Sequence, residues 1–147
     1  MYGFVVNTDS NHNTKRFGDK LILNLYKENI ISKYQMFGRK IFLETTGKIE
    51  RKMENRFSIS PATMTSSEQK SIYSNITKII NQVNKPEDFA IKVIRKGEHK
   101  YTSTNLARNV AGAVFDKWPK IKVNLEKPQL EVVIQIINNR SLIYIRD

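Results

Sequence analysis

Strand-like alternation opens the chain: Tyr2-Gly3-Phe4-Val5-Val6-Asn7 reads as a strand, closed by turn chemistry at Thr8-Asp9-Ser10-Asn11. The period then lengthens. Phe17, Leu21 and Leu25 recur at helical spacing with Ile22 beside them, and Asn13 or Thr14 can cap that helix. Tyr34–Phe37 and Lys40–Thr45 form a predicted hairpin, since Gly38-Arg39 suits a two-residue turn that wants glycine first. Ile49 and Met53 within GKIERKMENR predict a short amphipathic helix. Phe57 and Ile59 alternate with Ser58 and Ser60 before Pro61, which is expected to stop the element.

The order β-α-β-β-α-β is that of a ferredoxin-like sandwich. A turn-rich joint is expected at residues 61–66, PATMTS. Beyond it, Thr65 or Ser66 followed by Glu68 or Gln69 has the form of a capping box. Ile72, Ile76, Ile79, Ile80 and Val83 then make one apolar stripe, ended by Asn84-Lys85-Pro86. A strand at Phe89–Ile94 follows, then a helix marked by Leu106, Val110, Ala113 and Val114 to about Lys117, with Trp118 as a core residue at its end. Ile121–Leu125 reads as a short strand, and Leu130–Ile137 and Ser141–Ile145 flank an Asn138-Asn139-Arg140 turn. Apolar residues at both alternating positions of 130–137 predict a strand covered on both faces. The expected fold class is α/β (α+β), with a ferredoxin-like domain over residues 1–62 and a second α/β domain over 63–147.

Composition narrows the chemistry. The 147 residues are enough for one ordinary domain or two small ones. Cysteine is absent, which excludes thiolate zinc sites, iron–sulfur clusters and cysteine nucleophiles. No signal-peptide pattern opens the sequence, and no apolar run approaches the roughly 20 residues of a membrane helix, so a cytoplasmic chain without a membrane role is expected. Against 14 acidic residues stand 25 Lys and Arg, a net charge of +11. Such an excess repels itself and suits a polyanionic partner. It does not concentrate: residues 1–64 carry 11 basic and 6 acidic side chains, and residues 65–147 carry 14 and 8.

Catalytic signatures are missing. The six glycines make neither GxGxxG nor a P-loop, His12 and His99 form no HExxH pair, and no GxSxG elbow occurs. The chain is therefore expected to be no enzyme and to hold neither cofactor nor metal. The densest local feature is Lys92-Val93-Ile94-Arg95-Lys96-Gly97-Glu98-His99-Lys100-Tyr101-Thr102-Ser103, where a strand runs out into a loop before a helix. Lys92, Arg95, Lys96, His99 and Lys100 offer cationic groups, Gly97 permits a sharp turn, and Tyr101 offers a ring for stacking on a base. Ser103 supplies a hydroxyl at the helix start, and Arg108 lies one turn on. Cations, hydroxyls and helix N–H groups together suit phosphate. A solvated junction whose Thr and Ser only cap the helix fits the same residues, and composition leaves both readings open. Arg39-Lys40 and Arg51-Lys52-Arg56 are further basic candidates, each also consistent with ordinary surface charge.

At this junction the sequence resembles a THUMP domain. The family pattern, a basic-basic-Gly-x-His/Gln-x-aromatic-[ST]-Ser stretch after a strand, is matched by Arg95 to Ser103. A helix with a basic residue and a Gly/Ala-rich centre follows as Leu106 to Ala113, and a Val-Asp-Leu-x-x-Pro entry appears as Val123-Asn124-Leu125-Glu126-Lys127-Pro128. Asn124 replaces the usual Asp, and Lys127 the frequent Asn. The resemblance implies tRNA binding by both halves. With no SGGxDS, NPPY-like or deaminase motif in the chain, it points most to the free-standing THUMP adaptor that presents tRNA to a separate RNA cytidine acetyltransferase, which makes 4-acetylcytidine. The alternative is the tRNA-binding portion of a larger tRNA-modifying enzyme such as a 4-thiouridine synthetase or a THUMP methyltransferase.

Overall fold

In a computed structural model, residues 2–8, 14–46 and 57–146 are described. The chain divides into two compact units, Met1–Ala62 and Thr63–Asp147. The first contains strand β1 (Tyr2–Thr8), helix α1 (Thr14–Lys27), strands β2 (Ser32–Phe37) and β3 (Lys40–Thr45), and the start of β4 (Phe57–Ser66). Its strands lie in the order β2-β3-β1-β4, every neighbour antiparallel. Leu21 and Leu25 put one stripe of α1 onto Val6, Ile41 and Leu43, three side chains on one face of the sheet, with Phe17, Ile30 and Tyr34 at the margin.

Two turns follow from residue chemistry. At the end of α1, Asn29 takes φ 64°, its N–H bonds the Tyr26 carbonyl, and the Ile30 N–H returns to the Leu25 carbonyl. That double closure satisfies carbonyls left open at a helix end, and Asn tolerates the left-handed conformation it needs. In the β2–β3 hairpin Phe37 faces Lys40 and Gly38 takes φ 60°, as the Gly-first reading requires.

The chain enters the second unit within β4. There follow α2 (Gln69–Ile80), β5 (Asp88–Lys96), α3 (Ser103–Val110), α4 (Gly112–Lys117), β6 (Lys122–Val123), β7 (Leu130–Ile137) and β8 (Arg140–Arg146). Strand order is β8-β7-β5-β6; β5 runs parallel to β6 and β7, and β7 pairs antiparallel with β8. All three helices cover one face. Ile72, Ile76, Ile79 and Ile80 of α2, Leu106 and Val110 of α3, and Ala113 and Val114 of α4 pack with Phe89, Val132, Ile134, Ile136, Ile143 and Ile145 of the strands, and Trp118 joins this core as expected.

Several expectations are corrected. Pro61 does not stop its strand, and 61–66 is not a turn: β4 continues to Ser66, with Pro61 paired to Phe4. Proline is tolerated in a strand where its missing N–H is not required by the ladder. The capping box does not form, because Thr65 and Ser66 belong to β4 and α2 starts later. The Ser66 hydroxyl accepts instead from the Glu68 N–H at 3.2 Å. The helix expected from Leu106 to Lys117 breaks at Ala111, where a Cβ on Gly112 would approach the Tyr73 hydroxyl to 3.1 Å. The strand expected at Ile121–Leu125 shrinks to two residues, since the Asn124 side chain turns the chain by accepting from the Glu126 and Lys127 N–H groups, leaving Leu125 80% exposed. The helix expected around Ile49 and Met53, the turn at 9–11, and Arg51, Lys52 and Arg56 lie outside the described residues.

Candidate nucleic-acid interface

Alternation along β5 decides where its cations go. Phe89, Ile91 and Val93 face the helices, so Arg95 emerges on that side, while Lys92, Ile94 and Lys96 emerge on the other. The dense basic run is therefore divided between the two faces of one strand.

Beyond Lys96 the loop is built around Gly97, whose φ of +104° suits glycine and whose absent Cβ leaves room for Asn138. The Asn138 N–H donates to the Lys96 carbonyl at 2.9 Å. His99 then bridges: Arg95 Nη1 donates to its Nδ1 at 3.1 Å, and its Nε2 lies 2.6 Å from the Asn138 carbonyl oxygen. The imidazole stacks on Tyr101, rings 8° from parallel with centroids 5.4 Å apart. Tyr101 is half-buried against the hydrophobic core, and its hydroxyl donates to the Ser67 carbonyl at 2.6 Å. Burial pushes the Tyr101 phenol up from its ordinary value, opposed by the nearby Arg95 charge. The Ser67 N–H in turn bonds the Asn139 carbonyl. Three segments are thereby tied into one edge: the entry to α2, the β5–α3 loop, and the β7–β8 turn.

Helix α3 opens from this edge. Thr102 is its N-cap, with Oγ1 accepting from the Asn105 N–H at 3.1 Å. Half-buried Ser103 is the first helical residue, and Arg108 stands exposed in the last turn rather than beside the loop. Lys92, Lys96, Lys100 and Arg108 are exposed and, among the described residues, have no acidic partner.

Of the eight sequence-selected positions, then, Lys96 and Lys100 lie at the loop as free cations. Arg95 reaches it tethered, and His99 and Tyr101 serve as its internal supports. Ser103 starts the helix, whereas Lys92 and Arg108 lie a turn or more away along their elements. Tyr101 is a packed, hydrogen-bonded ring with His99 on one face, not the open platform considered for a base.

Arg140 was missed. Register sets Lys96 beside Ile137 and Ile137 beside Arg140, so the two cations share a sheet face two strand spacings, about 10 Å, apart. Its signal lay within the Asn138-Asn139-Arg140 hairpin turn, legible as geometry but not as part of a site. Lys70 is exposed in the first turn of α2, whose first residue, Gln69, accepts from the Asn109 side chain near the end of α3. Groups of His, Cys, Asp or Glu able to hold a metal are absent among the described residues, and no described helix is long and apolar enough to cross a membrane.

Comparison with known proteins supports this outline. The THUMP domain model matches residues 66–146. A probable tRNA sulfurtransferase of Methanosarcina acetivorans is 28% identical over 115 residues, covering 72% of this chain and 28% of that protein. A tRNA (guanine(6)-N2)-methyltransferase of Archaeoglobus fulgidus is 29% identical over 77 residues, covering 49% of this chain and 20% of that one. The chain thus spans less than a third of the length of these curated relatives. Among solved structures, a 4-thiouridine synthetase–RNA complex with bound ATP superposes with a TM-score of 0.71 over 99% of this chain and 41% of that one, at 8% identity, a likeness of fold alone. With a domain model spanning more than half of its length and the basic loop at the expected place in the fold, the chain belongs to the THUMP domain family.

Proposed function

We propose that this chain is a tRNA-binding module that presents tRNA to a modifying active site carried elsewhere. The observation that carries the reading is the tied edge of the second unit, where Lys96 and Lys100 stand exposed at the end of β5 and in its loop, Arg95 is held by His99, and Arg140 lies across β7 from Lys96. Lysine and arginine there neutralise phosphates, the loop's own hydrogen bonds fix their spacing beforehand, and a tRNA backbone offers the matching row of charges.

The finer assignment is an adaptor role in which the chain lends tRNA affinity to a catalyst it does not contain. A separate RNA cytidine acetyltransferase is one such catalyst. The relatives that share this stretch are a tRNA sulfurtransferase and a tRNA guanine methyltransferase, and so support the reading of a tRNA-binding portion of a larger modification system more than the acetylation adaptor. Two measurements test this. Binding to unmodified tRNA should be detectable at low salt and weaken linearly in log K against log salt, by a slope of about −0.7 to −0.9 for each phosphate neutralised. Adding the chain to an acetyltransferase, a sulfurtransferase or a methyltransferase catalytic protein, followed by mass analysis of tRNA nucleosides, should raise the yield of one modification. No binding to tRNA at any salt would sink the first claim, and no stimulated modification would sink the second.

A further inference from the structure

We propose that His99 is a positioning residue that holds Arg95 toward the RNA from a neutral imidazole, and that it does not itself contact phosphate. The proposal rests on the tRNA-binding reading of this edge and deepens it.

Donors and acceptors fix the protonation of the ring. A guanidinium can only donate a hydrogen bond and a backbone carbonyl can only accept one. His99 meets one of each: Arg95 Nη1 at 3.1 Å from Nδ1, and the Asn138 oxygen at 2.6 Å from Nε2. Nδ1 must therefore be the bare nitrogen and Nε2 must carry the proton. The contact set assigns a single tautomer and a neutral ring. An imidazolium would present a second N–H to Arg95, placing donor against donor and charge against charge.

Both ring nitrogens are thus already engaged within the protein, and one ring face is covered by Tyr101. Nothing on the imidazole is left to bind a phosphate oxygen. Arg95, by contrast, uses one guanidinium nitrogen on His99. The other edge of its planar fork stays available for the bidentate recognition of phosphate that suits this side chain. His99 also joins the β5–α3 loop to the β7–β8 turn, where Arg140 lies across β7 from Lys96. The loop arrives at RNA already ordered.

Two measurements decide the matter, one of them without RNA. In a His12→Gln background His99 is the sole imidazole, and its ¹⁵N spectrum at neutral pH should show Nε2 protonated and Nδ1 bare. A ring with its proton on Nδ1, or one doubly protonated, would overturn the arrangement. In tRNA titrations, His99→Ala should weaken binding about tenfold or more through loss of a charge-assisted bond, with the log–log salt slope unchanged. His99→Gln, whose amide also offers one acceptor and one donor, should restore affinity to within about twofold. Failure of Gln to rescue, together with a slope flattened by about one phosphate, would make His99 a direct ligand and contradict the proposal. If the wild-type chain binds no tRNA, the functional reading falls, while the ¹⁵N result still judges the His99 arrangement.

Discussion

Gly97 and Asn138 lie so close that a Cβ on the glycine would stand 2.5 Å from Asn138 Oδ1. Two loops distant in sequence approach each other there, and the contact also explains why position 97 is glycine, since φ is +104°. Gly97→Ala should destabilise the protein by about 1–3 kcal/mol from backbone strain alone. It should also weaken tRNA binding, because relief of the clash moves the loop that carries Lys96 and Lys100. Thermal melting and a tRNA titration on the same variant check both effects.

Tyr101 was considered as a base platform and is found as a strut. Tyr101→Phe keeps the ring against His99 and removes only the donor to the Ser67 carbonyl. The expected cost is about 0.5–1.5 kcal/mol, a fall in melting temperature of several degrees for a domain this small, with tRNA affinity at 25 °C nearly unchanged. Tyr101→Ala should lose stability and affinity together, since the ring also supports His99.

Acid sensitivity is expected at the staple between β5 and the β6–β7 connection. The Asp88 carboxylate accepts from the Gln129 N–H at 2.7 Å and from the Asn124 side-chain amide at 3.0 Å. These bonds, the backbone one first, hold its pKa below the ordinary 3.8. A group whose folded pKa is depressed stabilises fully above its unfolded value and loses that contribution as pH falls through the folded one. Melting temperature should therefore decline as pH drops below about 3.8, and Asp88→Asn should flatten that part of the profile.

The same staple explains why Asn rather than Asp stands at 124. Its Oδ1 accepts from the Glu126 and Lys127 N–H groups, a task Asp performs equally, but its Nδ2 donates to Asp88. Asn124→Asp would set two carboxylates face to face. The variant should melt lower than wild type at pH 7, and part of the difference should disappear as pH falls and the carboxylates protonate. Equal melting at both pH values would contradict this account of the turn.

How much of this was legible in the sequence depends on the range of each interaction. The stripe Ile72, Ile76, Ile79 and Ile80 and the alternation Phe89, Ile91, Val93 gave a helix and a strand correctly, because periodicity is a local signal. Pro61 misled, because whether a strand needs one particular N–H depends on its partner strand. The basic loop was visible as composition, but its division across two faces required the register of β5. The role of His99 was hidden for a plainer reason: its carbonyl partner lies 39 residues away at Asn138. Arg140 was hidden likewise, joined to Lys96 only through β7.

The central claim is that the edge formed by the β5–α3 loop binds tRNA through its cations, and the triple variant Arg95→Ala, Lys96→Ala, Lys100→Ala tests it most directly. Its tRNA affinity should be measured across a salt series beside its melting curve. The account predicts a melting transition close to wild type, strongly weakened binding, and a log–log salt slope shallower by about two to three phosphates. A folded triple variant with unchanged affinity and an unchanged slope would contradict it.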